Sequence, residues 1–187
     1  MDETLKEFFR TLAPFSDSEL EAAGPRFNPG LFRKNEFFSK AGIISENIAF
    51  VLKGILRSFY LIHGKETTTF FQTPGTVAVA LKSFVQLEPA HENIQAVTDS
   101  EVISISRKDL YQLYDEDWKW QQVGRRVIEE YYIHLEQRMI TLQALSAQER
   151  YQRFSSAFPE VIRSVPLHYI ASYLGISPET LSRIRRP

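Results

Sequence analysis

At 187 residues the chain is long enough for one large core, or for one domain with a small appendage, and its 43% hydrophobic and 24% charged residues exclude a disordered protein. A formal charge of -1 gives no overall attraction to nucleic acid or to an anionic membrane, so any such contact has to come from a local patch. The absence of cysteine excludes disulfides, thiolate metal sites, cysteine-ligated iron–sulfur clusters and thiol catalysis, and fits a reducing compartment.

Met1-Asp2-Glu3 has neither the basic nor the apolar stretch of a signal peptide, and no apolar run is long enough to span a bilayer; a cytoplasmic protein without a membrane partner is expected. The segment TLKEFFRTLA sets Leu5, Phe8, Phe9 and Leu12 at helical spacing and predicts a helix that caps a sheet. Gly30, Gly42, Gly54, Gly64 and Gly75 then fall ten to twelve residues apart, with runs rich in Phe, Ile, Val, Leu, Tyr and Thr between them. Turn residues at that spacing between short β-prone runs predict a sandwich or barrel. IAFVLKGILRSFYLI (Ile48 to Ile62) reads as two strands hinged near Lys53-Gly54, HGKE (His63 to Glu66) as the next turn, and NIQAVTDSEVISIS (Asn93 to Ser106) as two more strands around Thr98-Asp99-Ser100.

From Trp118 the period changes. Ile128, Tyr132, Leu135, Met139 and Leu142 are spaced four, three, four and three, a heptad seam, while Glu129, Glu130, Glu136 and Arg138 lie off it. The pattern predicts one helix from about Trp118 to Leu145, more than twice the mean globular length. Its seam can pack on the chain's own core or on a second copy. A helix this long cannot hide its seam on one β domain along its whole length, so a parallel helix pair is the preferred reading. Ser146 and Glu149 have the spacing of a capping box, which starts a new helix and places a domain boundary at Ser146.

The C-terminal segment YIASYLGISPETLSRIRRP is a short helix, a glycine stop at Gly175, an N-cap and N1 proline at Ser177-Pro178, and a second helix. Two short helices joined by a glycine turn form a helix-turn-helix, with Ile170, Leu174, Ile176, Leu181 and Ile184 inward and the small Ala171 at the crossing. Glu179, Thr180, Ser182, Arg183 and Arg186 then face outward, a short polar face suited to base edges and phosphates in a major groove.

A glycine-punctuated β region, a long helix and a C-terminal helix-turn-helix, in that order, resemble the Crp/Fnr family of bacterial transcription regulators over nearly the whole chain. The resemblance implies an α+β fold: a jelly-roll (double-stranded β-helix) effector domain in residues 1–117, a dimerisation helix in 118–145 and a winged helix-turn-helix, short here, in 146–187. It implies a homodimer on palindromic promoter DNA, with RNA polymerase as a further partner. ETLSR, Glu179 to Arg183, is similar to the Fnr-type recognition pattern E-x-x-S-R. By that resemblance Glu179 and Arg183 read a C·G and a G·C pair in half-sites like TTGA, Ser182 touches a neighbouring thymine or its backbone, and Ser177, Thr180 and Arg186 hold phosphates.

The family's cyclic-nucleotide pocket is where the sequence departs. Cyclic AMP-binding members carry G-E-L and, some nine residues on, R-S, a glutamate for the ribose and an arginine for the cyclic phosphate. In Gly75 to Val97 an ungapped placement puts Ala80 at the glutamate position, Ala90 at the arginine position and His91 in place of the serine, with Leu81 and Lys82 in the same stretch. Both polar anchors are absent, and an anion buried there would lose its bidentate partner. Cyclic AMP is therefore not the expected effector, and no other cofactor is implied. His63, His91, His134 and His168 lack metal-ligand spacing, and no nucleophile–base pair or phosphate loop is present, so no enzyme is expected. Two other readings remain open, an effector-sensing dimer with a degenerate DNA-binding head and a cupin-like enzyme.

Overall fold

The computed structural model describes residues 1–185. Two short helices, α1 (Glu3–Leu12) and α2 (Asp17–Ala23), precede the strands β1 (Asn28–Phe32), β2 (Phe37–Ser39), β3 (Asn47–Lys53), β4 (Leu56–Ile62), β5 (Lys65–Gln72) and β6 (Val77–Ala78). Helix α3 (Leu81–Gln86) interrupts them before β7 (Glu92–Ala96) and β8 (Ser100–Ser106). The rest is helical: α4 (Arg107–Glu116), the long α5 (Trp118–Ala144), α6 (Ala147–Ala157), α7 (Pro159–Ser164), α8 (Leu167–Leu174) and α9 (Pro178–Arg185).

The strands form two antiparallel four-stranded sheets, in the orders β1-β8-β3-β6 and β2-β7-β4-β5, the jelly-roll layout expected. Turn chemistry sets the connections. Between β4 and β5 the two residues His63 and Gly64 both have positive φ, 49° and 76°, as a twisted two-residue hairpin requires. Gly54, with φ of 84°, lies where the chain passes from β3 in one sheet to β4 in the other, and Gly42 and Gly75 are left-handed as well. Gly30 differs from the expected pattern: it lies inside β1, opposite Val102, and is no turn. A β-carbon there would stand 3.2 Å from the Phe32 ring and 3.3 Å from a Val102 methyl, so its role is close packing. The wing expected beside the helix-turn-helix is not among the described residues, whose strands all lie between Asn28 and Ser106.

The core falls into three parts. Between the sheets lie Val51, Leu56, Ile94 and Val102 with five alanines, at positions 49, 78, 80, 90 and 96. Small side chains on both inner faces leave the roll tightly closed. Outside the first sheet, α1, α2, α4 and the start of α5 bury Leu5, Phe9, Phe15, Leu20 and Trp120 against Phe50 and Ile103. The Trp120 ring lies 5.0 Å edge-on from Phe9 and 4.6 Å from Phe15. A third cluster joins Ile55, Phe71 and Val97 of the roll to Phe154, Val161, Ile170, Tyr173 and Leu181 of the C-terminal helices, so roll and head share apolar packing.

Two glycines separate the backbone cost from the steric one. At Gly54 an added β-carbon would run into the Asp99 carbonyl oxygen and Ser100, whereas at Gly64 it would meet nothing within 4 Å. Gly64→Ala should therefore destabilise by only about 1 kcal/mol, the left-handed penalty. Gly54→Ala should exceed it by at least about 1 kcal/mol more, because backbone has to move. Urea denaturation midpoints of the two variants check the ranking.

Candidate functional site

The C-terminal head is assembled from local signals. The Ser146 hydroxyl accepts from the Glu149 amide at 3.3 Å while the Glu149 carboxylate accepts from the Ser146 amide at 2.8 Å, which starts α6 where the sequence predicted. Helix α8 ends on Gly175, left-handed with φ of 65° and ψ of 37°, and the Ile176 amide reaches back to the Ala171 carbonyl at 3.1 Å. The Ser177 hydroxyl accepts from the Thr180 amide at 3.1 Å and caps α9. Ile170, Ala171, Leu174 and Leu181 are buried, as the inward assignment requires, and Ile176 and Ile184 are half-buried.

What remains outside on α9 is the predicted polar face. Ser177, Glu179, Ser182 and Arg183 are exposed and Thr180 is half-buried, its side-chain oxygen accepting from the Ser177 hydroxyl at 3.2 Å. The Ser177 hydroxyl and the backbone amide beside Glu179 hold its carboxyl below the ordinary range, so it is an acceptor at neutral pH. Glu179 and Arg183 are one turn apart on the same side of the helix. Arg186 lies outside the described residues.

The head is fastened to the roll through α8. β5 is the edge of its sheet, and the Ser172 hydroxyl occupies that edge, accepting from the Thr68 amide at 2.9 Å and donating to the Glu66 carbonyl at 3.0 Å. Arg57, the second residue of β4, is fully buried. Its guanidinium sits 3.4 Å from the Tyr169 ring centroid of α8 and 4.0 Å from that of Phe59, and donates to the Glu66 carboxylate at 2.5 Å and the Thr68 hydroxyl at 3.3 Å. Arg138 of α5 closes the corner, donating to the Tyr173 carbonyl at 2.9 Å and lying 3.8 Å from its ring centroid. Sequence reasoning missed Arg57, although an arginine inside the apolar run GILRSFYLI was the signal for it.

The seam of α5 is open in the single chain. Ile128, Tyr132, Leu135, Met139 and Leu142 are 38–68% exposed, and on the whole helix only Trp120 and Val123 are buried. The expected effector residues divide. Ala80 and Ala90 are buried among the alanines between the sheets, and Leu81 opens α3, half-buried. Lys82 and His91 are exposed, 3.4 Å apart, with Lys82 also 3.5 Å from Glu88. These residues do not converge on one cavity. Space is found elsewhere, in a cavity of about 840 Å³ between the roll and α5, lined by apolar side chains such as Phe8, Phe50, Phe70 and Leu135. Its polar lining includes Ser58, Gln72, Glu92, His134 and Arg138. Among the described residues, no cluster of three or more His, Asp or Glu is placed to hold a metal, and no helix is long and apolar enough to cross a membrane.

Residues 30–117 match the model of the cyclic nucleotide-binding domain family. The fold as a whole is found in FixK2 from Bradyrhizobium japonicum, 23% identical, with a TM-score of 0.71 over 84% of this chain and 82% of that one. The catabolite activator protein of Thermus thermophilus is also 23% identical, with a TM-score of 0.58 over 95% of this chain and 84% of its own. A protein from Eubacterium rectale described as a transcriptional regulator of the Crp/Fnr family is 11% identical, with a TM-score of 0.70 over 91% and 82%. No curated protein is a significant match in sequence.

Glu92 gives the cavity a pH signature. Burial pushes its carboxyl up to about 7, from an ordinary value of 4.5. The folded state therefore holds the proton more tightly than the unfolded chain does. The stability that Glu92 contributes is complete below about pH 4.5 and is lost as the pH rises through about 7. Glu92→Gln, neutral throughout, should be more stable than the parent chain at pH 8, by on the order of 1 kcal/mol or more, with the gap closing at pH 5. Denaturant midpoints of both proteins across that range give the comparison.

Proposed function

We propose that this chain, a cyclic nucleotide-binding domain set on the fold of the Crp/Fnr regulators, is a DNA-binding transcription regulator that acts as a homodimer on palindromic promoter sites. The observation that carries the reading is the head: a helix-turn-helix whose turn is closed by Gly175 and the Ser177 cap and whose second helix exposes Glu179, Ser182 and Arg183 on one side. An exposed guanidinium on a recognition helix matches guanine O6 and N7 bidentately, and an ionised carboxylate accepts from a cytosine amino group. Ser177 and Thr180, at the N-terminus of α9, lie where backbone amides and hydroxyls meet phosphate.

The open seam of α5 supports the dimer. Each large side chain buried on a partner helix contributes about 1.5–3 kcal/mol. A two-fold dimer then presents two recognition helices to two half-sites, with RNA polymerase as a further partner of the bound complex. Cyclic AMP is not the effector through the usual residues, because Ala80 and Ala90 supply no polar anchor and are packed into the closed interior of the roll. The cavity against α5 has the room an effector needs. The protein acts by binding and not by catalysis.

Selection of bound duplexes from a random pool should return a palindrome with half-sites like TTGA. Arg183→Ala should lose the preference for the guanine, worth about 1–3 kcal/mol, while keeping most of the non-specific affinity. Arg186→Ala should weaken all sequences alike and reduce the salt slope by about one. Parallel loss in both variants with no change in sequence preference would remove Arg183 from base reading.

A further inference from the structure

A second cavity, of about 630 Å³, lies where α5, α6 and α8 meet, at the joint between the long helix and the head. Its chemistry is one-sided. His134 and Arg138 of α5 and Arg150 and Arg153 of α6 line it, and no Asp or Glu is among its lining residues. Phe154 and Tyr173 form an aromatic wall, with ring centroids 5.0 Å apart.

The donors in this cavity are not all spent. Arg138 is committed to the Tyr173 and Thr68 carbonyls. Nε of Arg150 and Nε2 of His134 are buried and have no hydrogen-bond partner among the described residues. Buried polar nitrogens are ordinarily paired; burial and the neighbouring Arg138 lower the His134 pKa and keep its ring neutral, so it is the open guanidinium Nε of Arg150, in a cavity without carboxylates, that marks a place an anion completes. Arg153 is exposed at the rim. Arg150 also lies beside the helix-turn-helix turn, since a β-carbon on Gly175 would stand 3.4 Å from its Nη1.

We propose that this cavity is a binding site for a small phosphate ester carrying a flat ring, a ligand of nucleoside monophosphate size and chemistry. Arg150 and Arg153 hold the phosphate, where paired guanidinium groups suit a dianion better than a single carboxylate, and the ring lies on Phe154 and Tyr173. The volume is within the range of small-molecule sites. DNA backbone is the competing source of phosphate. It can reach Arg153 at the rim but not the buried Nε of Arg150, and the aromatic wall gives a ribbon of phosphates nothing to contact. A ligand here touches α5 and the turn of the helix-turn-helix together, so binding fixes the angle between the dimerisation helix and the reading head.

Calorimetry on the full chain tests this with three probes: adenosine 5′-monophosphate, adenosine and inorganic phosphate. The monophosphate should bind, with phosphate at least tenfold weaker and adenosine weaker still. Arg150→Gln/Arg153→Gln should weaken the monophosphate at least tenfold. Arg153→Gln alone, at an exposed position that does not affect folding, should weaken it several-fold, and Glu92→Gln, in the larger cavity, should leave it unchanged. Absence of monophosphate binding to the parent chain, or equal affinity in the double variant, would overturn the assignment. So would loss of DNA affinity in the double variant with monophosphate affinity intact, which would make these arginines backbone contacts.

Discussion

The arrangement of the molecule depends on one buried charge. Arg57 has no exposed surface, and a guanidinium removed from water costs several kcal/mol unless its partners are in place. Those partners come from two parts of the chain: Phe59, Glu66 and Thr68 from the roll, and Tyr169 from the first helix of the helix-turn-helix. Moving the head away would strip one ring from the guanidinium and open β5, whose edge amide and carbonyl are held by Ser172. An unpaired sheet edge is a liability that proteins cover, and here the covering helix α8 also packs against α9 through Leu181. The roll and the C-terminal helices are therefore joined by a polar lock inside an apolar junction, the cluster of Ile55, Phe71 and Val97 with residues of α6 to α9.

The long helix supplies the second constraint. Its first turns are consumed by the core, where Trp120 and Val123 pack under α1 and α4, and beyond them the helix carries its apolar seam into solvent. The Arg125–Glu129 pair, at 2.7 Å, lies off the seam and supports the helix without covering it. A helix that is amphipathic on a second face, after its first is already packed, is built to meet something outside its own chain. The same helix walls both cavities, so whatever fills either of them acts on the element that carries the seam.

Local signals were legible in the sequence and distant ones were not. Gly54, Gly64 and Gly175 marked real left-handed turns because φ > 0 is a property of one residue, and the Ser146–Glu149 box marked a helix start because it spans one turn. The same box at Ser16 and Glu19, which starts α2, was present and went unread. Gly30 was misplaced because a glycine in a strand looks the same as one in a turn until Phe32 and Val102 are seen to crowd it. The lock around Arg57 joins residues more than a hundred positions apart, as between Glu66 and Ser172, and no period or spacing encodes such a pair. Glu92 was passed over for the same reason. It sits at the start of a strand, and only the packing of β4 and α5 around it makes its carboxyl unusual. On α9 the exposure of Glu179, Ser182 and Arg183 follows the helix period and the Ser177 cap, both local, while Thr180 is half-buried and Arg186 lies outside the described residues.

The central claim is that two chains, joined along α5, read one palindrome. The mass of the protein–DNA complex tests it most directly, by sedimentation or light scattering on a duplex carrying a single selected palindrome. Two chains per duplex are predicted for the parent protein, and for Leu135→Asp a weaker complex that forms one chain at a time. A parent complex holding one chain per palindrome, or a two-chain complex indifferent to Leu135→Asp, would contradict it.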